Sequence, residues 1–496
     1  MTAQKARERL GHDGPARGRP AAAALAALLV AAALASALGP GGARMRGSAL
    51  APGGVRAPGS VHAGPPRLLL LVTVDTLRAD RLGAYGSARG LTPNLDALAA
   101  ASVVFTGAYA PASLTVPSLA ALMTGRYPEE LGMASNESGL PERVPTLAGL
   151  LAARGWRTAA VVGNWVLRRG SGLERGFAEY DDRYPDAEAV RGFPERRAPA
   201  TTATARAALR RCTAGARPCL LWVHYQDPHG PYTPPADLRA RYLARERAAA
   251  GGTRRLPARR DNAGFGGIPR YQRIGAEREV AFYRSGYDAE VRYLDQHLGR
   301  LLADVGPEAT VVLAADHGEA LGERDYWFAH GALLSDVLVR VPLMVRAPGL
   351  AAGRRDDLVA LVDVLPTLLG LVTGPAAPPG PGADTLPGRD LFAPGAAARP
   401  SVPYLANLGI GGVRRWGLVE GEHALVVEER DGRSTGRLVR RGDDATDLAD
   451  TLPDVRDRLV AALAARRRAL AAGAEARRVT SPAACAQLRA LGYLDD

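Results

Sequence analysis

The segment Leu68-Leu69-Leu70-Leu71-Val72-Thr73-Val74-Asp75 decides the fold class. Its first seven residues are uncharged and form a run typical of a strand buried on both faces, and a carboxylate follows directly. Similar short apolar runs recur with helical patterns between them: Ala159 to Val162, Leu220 to Tyr225, Thr310 to Ala315 and Pro342 to Val345. This alternation predicts an α/β fold with a doubly wound, mostly parallel sheet covered by helices on both faces.

Composition narrows the class of protein. The chain has 496 residues, enough for two or three domains, and 47% of them are hydrophobic, which is typical of a globular protein. The formal net charge is +12, but the basic residues are scattered and not interleaved with aromatic side chains, so nucleic acid is excluded as a partner. Lys5 is the single lysine among 63 basic residues, so no lysine is expected in the chemistry.

The amino terminus has the order of a secretory signal. A basic region at 1–20 precedes an apolar run at 21–38 and a Gly/Pro-rich linker at 39–66. We expect the protein to lie outside the cytoplasm, periplasmic or secreted; membrane attachment through an uncleaved 21–38 is the alternative. Cysteine usage agrees with an oxidising compartment, because Cys212 and Cys219 flank a short loop and are expected to pair, whereas Cys485 is expected to be free.

The predicted domain plan has a catalytic domain at 67–375, a Pro/Gly linker at 376–400 and a strand-plus-helix subdomain at 401–496. Three helices are predicted inside the first domain: Pro117 to Thr124, Val144 to Arg154, and Ala281 to Leu302. The segment from Arg239 to Arg270 has little periodicity and is interpreted as an inserted surface loop that borders the functional site.

Polar residues follow several of the predicted strands. In an open parallel sheet the ligand site lies at the carboxyl ends of the strands, so these residues are expected to meet at one edge. They are Asp75, Gly163-Asn164, Asp227-Pro228-His229 and Asp316-His317-Gly318-Glu319. A lone Asp after a strand is more often a helix cap, but Asp75, Asp316 and His317 together predict a divalent metal site of the zinc or manganese type.

Thr115 is a candidate nucleophile. It precedes the predicted helix at Pro117, whose free backbone amides would attract an anion toward the threonine oxygen. The simpler interpretation is that Thr115 only caps the helix, a common role for threonine.

The motifs resemble successive blocks of the sulfatases, a family within the alkaline-phosphatase-like superfamily. The order and spacing match from about Arg67 to Gly374, and Leu438 to Leu452 resembles the family's closing subdomain. The blocks are Val74-Asp75-Thr76-Leu77-Arg78-Ala79-Asp80, Thr92-Pro93-Asn94-Leu95-Asp96, Thr115-Val116-Pro117-Ser118, Leu122-Met123-Thr124-Gly125, Asp227-Pro228-His229-Gly230-Pro231-Tyr232, Ala315-Asp316-His317-Gly318-Glu319, His330-Gly331, Arg340-Val341-Pro342-Leu343 and Leu361-Val362-Asp363-Val364-Leu365-Pro366-Thr367-Leu368.

The chain also departs from the family pattern. Sulfatases carry a Cys or Ser, matured to formylglycine, in the motif Cys/Ser-x-Pro-x-Arg, whereas this chain has Thr115-Val116-Pro117-Ser118-Leu119. Threonine cannot become formylglycine. The usual Gly-Lys-Trp-His also appears as Gly163-Asn164-Trp165-Val166, which removes an active-site lysine.

What remains resembles the threonine-nucleophile phosphodiesterases and phospho-headgroup transferases of the same superfamily. The resemblance implies one divalent metal, zinc or manganese before calcium, with the ligands Asp75, Thr115, Asp316 and His317. It also implies that Asn164 holds a phosphoryl oxygen and that His229 and His330 face the leaving group or the oxyanion. A second metal bound by Asp227, His229 and His330 is a less favoured alternative.

The sequence therefore predicts an exported, metal-dependent hydrolase or transferase that acts on phosphate (di)esters through a threonine nucleophile. Its substrate is expected to be a small-molecule, lipid or glycan ester. One alternative is a sulfuric ester hydrolase, which the missing formylglycine precursor disfavours. The other is a non-catalytic pseudoenzyme that uses the pocket only to bind anions.

Overall fold

An eight-stranded sheet organises the structure, a computed structural model that describes residues 66–250, 252–373, 386–396, 399–405, 413–471 and 477–478. The strand order is β13-β2-β12-β9-β1-β8-β4-β5, and β12 alone runs antiparallel to the other seven. These strands are β1 (Leu68–Val74), β2 (Val103–Tyr109), β4 (Arg157–Val162), β5 (Glu179–Asp181), β8 (Cys219–Tyr225), β9 (Thr310–Ala315), β12 (Leu343–Arg346) and β13 (Gly353–Ala360). The predicted mostly parallel sheet is confirmed.

Helices cover the sheet on both faces. Every residue of β1, β8 and β9 is buried, which requires packing on each side of these strands. The helices are α1 (Pro93–Ala100), α2 (Thr115–Thr124), α3 (Leu147–Ala152), α4 (Ala198–Ala214), α5 (Ala236–Ala250), α6 (Val280–Leu302), α7 (Asp336–Val339), α8 (Val364–Thr373) and α9 (Pro453–Ala471). In the described part of the chain, none of them is both long and apolar enough to cross a bilayer.

A smaller antiparallel sheet follows, and α9 packs on it through a cluster that includes Trp416, Leu425 and Leu459. Its strands are β14 (Ser401–Leu405), β15 (Arg414–Glu420), β16 (His423–Arg430) and β17 (Arg433–Arg440). The short remaining strands are β3 (Ser138–Gly139), β6 (Asp186–Ala187), β7 (Pro194–Glu195), β10 (Ala320–Leu321), β11 (Trp327–Ala329) and β18 (Arg477–Arg478). The strand-plus-helix subdomain is thus present, and the proposed domain boundaries stay predictions.

Two local predictions were wrong. The helix expected from Pro117 begins at Thr115, so Thr115 is its first residue rather than its cap, and the cap position is occupied by Leu114. The expected loop from Arg239 is helical as far as Ala250, because its Ala, Arg, Leu and Glu residues favour a helix even without a clear apolar stripe. The segment 21–38 and Cys485 lie outside the described residues, and Cys212 is bonded to Cys219 as predicted.

Candidate active site

The site forms at the carboxyl edge of the central strands. β1 pairs with β8 and β9 so that Val74 lies level with Tyr225 and with Ala315. The residues that follow these strands therefore emerge side by side, which brings Asp75 next to Asp316 as the sequence predicted.

Two carboxylates and one imidazole share a buried space at this edge. Asp75, His224 and Asp316 each offer a ligand atom, and these atoms lie within 4.8 Å of one another. Asp75 Oδ1, Asp316 Oδ2 and His224 Nε2 are buried and have no hydrogen-bond partner. Buried polar atoms without partners are costly, and three of them facing one space fit a bound cation.

His317 is oriented toward the same space. Its Nδ1 donates to Gly318 O at 2.9 Å, so the lone pair lies on Nε2. That Nε2 lies 3.8 Å from Asp75 Oδ1 and 3.7 Å from Asp316 Oδ2. Three of the four predicted ligands are thus together, and the donor set of two carboxylates and imidazole nitrogen fits a zinc or manganese ion.

Thr115 joins this group from a different element. It is fully buried, and its Oγ1 lies 3.3 Å from His317 Nε2. Ser118 Oγ, one turn further along α2, donates to Asp316 O at 2.6 Å and fixes the helix against the end of β9.

The expected array of free amides at the start of α2 is reduced. Val116 N–H donates to Asn136 Oδ1 at 2.9 Å, and Pro117 has no amide hydrogen. The helix terminus therefore contributes mainly its dipole to the site.

Asn164 is hydrogen-bonded to one carboxylate of this buried group. Its Nδ2 donates to Asp75 Oδ2 at 2.5 Å, and its Oδ1 accepts from Val166 N at 3.0 Å. One hydrogen of the amide is thus used within the protein, which leaves the second for the predicted contact to a phosphoryl oxygen.

His229 and His330 line the next part of the site. Their ring centroids are 5.1 Å apart, and those of His330 and His317 are 4.5 Å apart. His229 Nδ1 donates to Gly230 O at 2.7 Å, and His330 Nδ1 lies 3.2 Å from Glu319 Oε1. These contacts order the imidazoles in a row that leads away from Thr115.

Burial sets the protonation of this row. Burial and the neighbouring His317 lower the pKa of His330 to about 3, and burial also lowers the pKa of His229. Burial raises the pKa of Glu319 to about 7, although His229 and His317 act in the opposite direction. At pH 7 both imidazoles are neutral, and Glu319 is close to half protonated.

The two carboxylates of the buried group differ in charge state. Burial and the charge of Asp75 raise the pKa of Asp316 well above its usual range. For Asp75, burial is outweighed by His229, His224 and His317, which hold its pKa below the usual range. A cation between them would remove this repulsion.

Backbone geometry around the site is tightly constrained. Thr76 has a φ of 55°, unusual for a β-branched residue, while its N–H donates to Asp316 Oδ1 at 3.2 Å and its carbonyl accepts from Tyr287 Oη at 2.7 Å. At Gly318 a Cβ atom would lie 1.9 Å from Val337 O, so only glycine fits behind His317.

Sequence reasoning missed His224, and it named Glu319 among the polar residues after a strand without giving it a role. His224 lies inside β8 rather than after it, and the available signal was a polar residue in an otherwise apolar run. The alternative second metal site finds no support: in the described part of the chain, the one group of three potential ligands whose ligand atoms all lie within 4.8 Å of one another is Asp75, His224 and Asp316. Asp227 instead faces Arg197, whose Nε is 3.9 Å from its Oδ1.

Comparisons with known proteins point to one family. The family model described as Sulfatase matches residues 67–374. Human arylsulfatase A is 30% identical over 352 residues, which cover 63% of this chain and 65% of that protein. Human iduronate 2-sulfatase is 26% identical over 402 residues, which cover 63% of this chain and 70% of that protein. The chain thus spans slightly less than two thirds of the length of the arylsulfatase.

Solved structures share the fold. A putative sulfatase from Bacteroides fragilis has a TM-score of 0.64 at 18% identity and covers 84% of this chain and 98% of its own. A phosphonate monoester hydrolase from Silicibacter pomeroyi has a TM-score of 0.62 at 20% identity. The match covers 83% of this chain and 99% of the hydrolase. At this level of identity the likeness concerns the fold alone.

Proposed function

Because the chain belongs to the sulfatase family, we propose that it is an ester hydrolase or transferase that passes a phosphoryl group through Thr115. The observation that carries the proposal is the position of the Thr115 hydroxyl, buried and 3.3 Å from His317 Nε2. Asp75 and Asp316 direct unpartnered oxygens into the same space.

His317 places an unprotonated nitrogen beside the nucleophile. Its Nδ1 hydrogen is bound to Gly318 O, so the lone pair is on Nε2, 3.3 Å from the Thr115 hydroxyl. A bound ion would take this lone pair and would lie next to the threonine oxygen. The start of α2 adds a positive dipole there, which favours the deprotonated form of the hydroxyl.

We propose that Asp75, Asp316 and His317 hold one divalent ion, because His317 Nε2 lies 3.8 Å from Asp75 Oδ1 and 3.7 Å from Asp316 Oδ2. His224, whose potential ligand atom lies within 4.8 Å of those of both carboxylates, and Thr115 would lie beside the ion. When bound, the ion supplies a Lewis acid that lowers the pKa of the threonine hydroxyl and balances charge at the transferred group. Zinc or manganese is preferred because calcium favours sites made only of oxygen ligands.

The chemistry of threonine favours phosphoryl over sulfuryl transfer. A formylglycine diol can expel sulfate by breaking a carbon–oxygen bond, whereas a threonine ester must be attacked at its central atom. A threonyl phosphate permits that attack by water or by an acceptor alcohol.

The charge of the site favours a singly charged diester. Asn164 is neutral and donates to Asp75. Arg78 reaches Glu319 O at 3.0 Å, but Asp80 at 2.7 Å and Glu323 at 2.8 Å neutralise its guanidinium. A dianionic monoester would therefore meet little compensating positive charge.

His330 and Glu319 are proposed to protonate the leaving oxygen. When Glu319 carries a proton it donates to His330 Nδ1, and His330 then carries its own hydrogen on Nε2. Transfer of the Nε2 hydrogen to the leaving alkoxide is then matched by transfer of the Glu319 proton to Nδ1.

The proposal is tested by replacing Thr115 with Val, which keeps the shape and removes the hydroxyl. Turnover of bis(p-nitrophenyl) phosphate should fall at least about 10³-fold, while metal content and Tm are retained. Thr124→Val, which removes a buried hydroxyl at the other end of the same helix, is the matched control and should retain activity. Activity that survives in Thr115→Val would refute the nucleophile.

Sulfate-ester hydrolysis is the second candidate, favoured by the family match and by relatives named arylsulfatase and iduronate 2-sulfatase. The latter name refers to a sulfated sugar acid, so a glycan ester is among the proposed substrates. A screen with p-nitrophenyl sulfate, the phosphate monoester and the diester, each with zinc, manganese or calcium, separates the candidates. Metal binding without turnover of any of them would favour a pseudoenzyme.

We also propose that the protein acts outside the cytoplasm. The disulfide between Cys212 and Cys219 supports this proposal, because such bonds persist in oxidising compartments.

A further inference from the structure

A cavity of about 680 Å³ lies in the described part of the chain next to the row of imidazoles. It opens between the loop that joins β6 to β7 and the segment that precedes α6. Its lining consists of Val190, Arg191, Phe193, Arg270, Arg273 and Gly275. Three of these six residues are arginines, and none is acidic.

The cavity adjoins the active site through Tyr271. The Arg191 guanidinium lies 5.1 Å from the centre of the Tyr271 ring, and that ring lies 6.1 Å from the ring of His229. His229 in turn neighbours His330, the proposed donor to the leaving oxygen. A substrate whose ester lies at Thr115 would therefore extend its alcohol portion toward the cavity.

The arginines give the cavity a net positive charge. Glu188 binds Arg191 at 2.6 Å and holds its guanidinium in place. Arg270 and Arg273 form no ion pair with any carboxylate that the structure describes. Asp261, whose backbone carbonyl accepts from the amide of Arg270, has its carboxylate bound to Arg259 at 2.7 Å.

Hydrogen bonds anchor the backbone of the cavity wall. Tyr271 Oη donates to Phe328 O at 2.8 Å, and Gln272 Nε2 donates to the same oxygen at 3.1 Å. The backbone amide of Arg270 donates to Asp261 O at 2.8 Å. Such anchoring fixes the backbone that carries Arg270 and Arg273. The loss of conformational entropy when a ligand binds is therefore smaller.

We infer that this cavity is a subsite for a second anionic group, sulfate, phosphate or carboxylate, on the alcohol portion of the substrate. The inference rests on the proposed function only for the position of the scissile ester. Guanidinium groups suit these anions because their fixed N–H donors match pairs of anionic oxygens. The centre with Thr115 thus takes a singly charged ester, while the cavity selects alcohols that carry a further charge.

Binding of two inert probes tests the subsite without turnover. Biphenyl-4-sulfonate carries one anion and biphenyl-4,4′-disulfonate carries two, and their carbon–sulfur bonds are not esters. By calorimetry on the metal-loaded protein, we expect the disulfonate to bind about tenfold more tightly at low salt, and added salt to reduce the difference.

The double variant Arg270→Gln/Arg273→Gln should remove this preference. The matched control is Arg210→Gln/Arg217→Gln, which removes two exposed arginines near the amino end of β8, at the opposite edge of the sheet. Equal binding of both probes by the unaltered protein, absence of binding, or an equal loss in the control would overturn the subsite. Hydrolysis of bis(p-nitrophenyl) phosphate, measured separately, reports on Thr115 alone, so the two proposals fail independently.

Discussion

His224 Nε2 lies 3.6 Å from Asp75 Oδ2, and both side chains are fully buried. The parallel register of β1 and β8 produces this contact, because it sets Thr73 level with His224. Thr73 Oγ1 is 2.8 Å from His224 Nδ1 and accepts a hydrogen bond of 2.8 Å from Trp222 Nε1. These hydrogen bonds hold the imidazole of His224, a residue inside β8, next to the carboxylates.

His224→Gln should weaken metal binding by about 10- to 100-fold, the usual effect of removing a residue that orients or completes a ligand set. Affinity is measured by competition with a chromophoric chelator. His297→Gln replaces another buried histidine, on α6 and outside the site, and should leave the affinity unchanged. Unaltered affinity in His224→Gln would exclude His224 from the metal site.

Asp316→Asn should lower metal content, because it removes one of the two carboxylates that face the proposed ion. In the unaltered protein a chelator should lower Tm, because an ion that binds only the folded state stabilises that state. In Asp316→Asn the chelator should lower Tm much less than in the unaltered protein.

Asp227→Asn serves as the control for this experiment, because Asp227 is buried but lies outside the ligand group. Metal content should remain unchanged. Full occupancy in Asp316→Asn, or a comparable loss in Asp227→Asn, would contradict the assigned ligands.

Stability should depend on pH through Glu290 on α6. Burial and the nearby charge of Asp227 raise its pKa to about 8, against 4.5 for an ordinary glutamate, although Arg197 acts in the opposite direction. Between these values the unfolded chain loses a proton that the folded chain keeps, so folding stability falls as pH rises from about 5 to 8. Glu290→Gln, which mimics the protonated form, should remove this loss, on the order of a few kcal/mol.

The check is the free energy of unfolding of both proteins at pH 5 and pH 9. At pH 5 we expect the two proteins to have nearly the same free energy of unfolding. At pH 9 we expect Glu290→Gln to have the larger one. Glu308→Gln changes an exposed glutamate and should show no such trend. A constant difference between the unaltered protein and Glu290→Gln across this range would rule out the titration.

Cys212 and Cys219 should be recovered as a linked peptide from protein isolated from its native compartment. The bond closes a short loop, and Cys212→Ser with Cys219→Ser should cost about 2 kcal/mol of unfolding free energy. Two free thiols at these positions, or protein confined to the cytosolic fraction, would contradict export.

Much of the sheet was predictable because buried parallel strands leave an apolar signature. The bounds of β1 and β9 agree with the predicted runs residue for residue. The start of α2 was not predictable, because proline favours the first helical position but is tolerated anywhere in the first turn, and here Pro117 is the third residue.

The site was predictable where its residues follow strands, as for Asp75, Asp316 and His317. His224 was missed because its role depends on the register between β1 and β8, which sequence patterns do not specify. The cavity was missed for a similar reason. Arg191 and Arg270 are far apart in sequence, and they line one cavity because Arg191 packs on the ring of Tyr271, the neighbour of Arg270.

The central claim, that Thr115 receives the phosphoryl group, is tested most directly by rapid acid quench of the metal-loaded protein during turnover of bis(p-nitrophenyl) phosphate. Peptide mapping by mass spectrometry then locates any covalent adduct. We predict a substituted phosphoryl group on the peptide that contains Thr115, formed and lost at rates compatible with turnover and missing from Thr115→Val. Turnover at the normal rate with no adduct on Thr115, or with the adduct on another residue, would contradict the account.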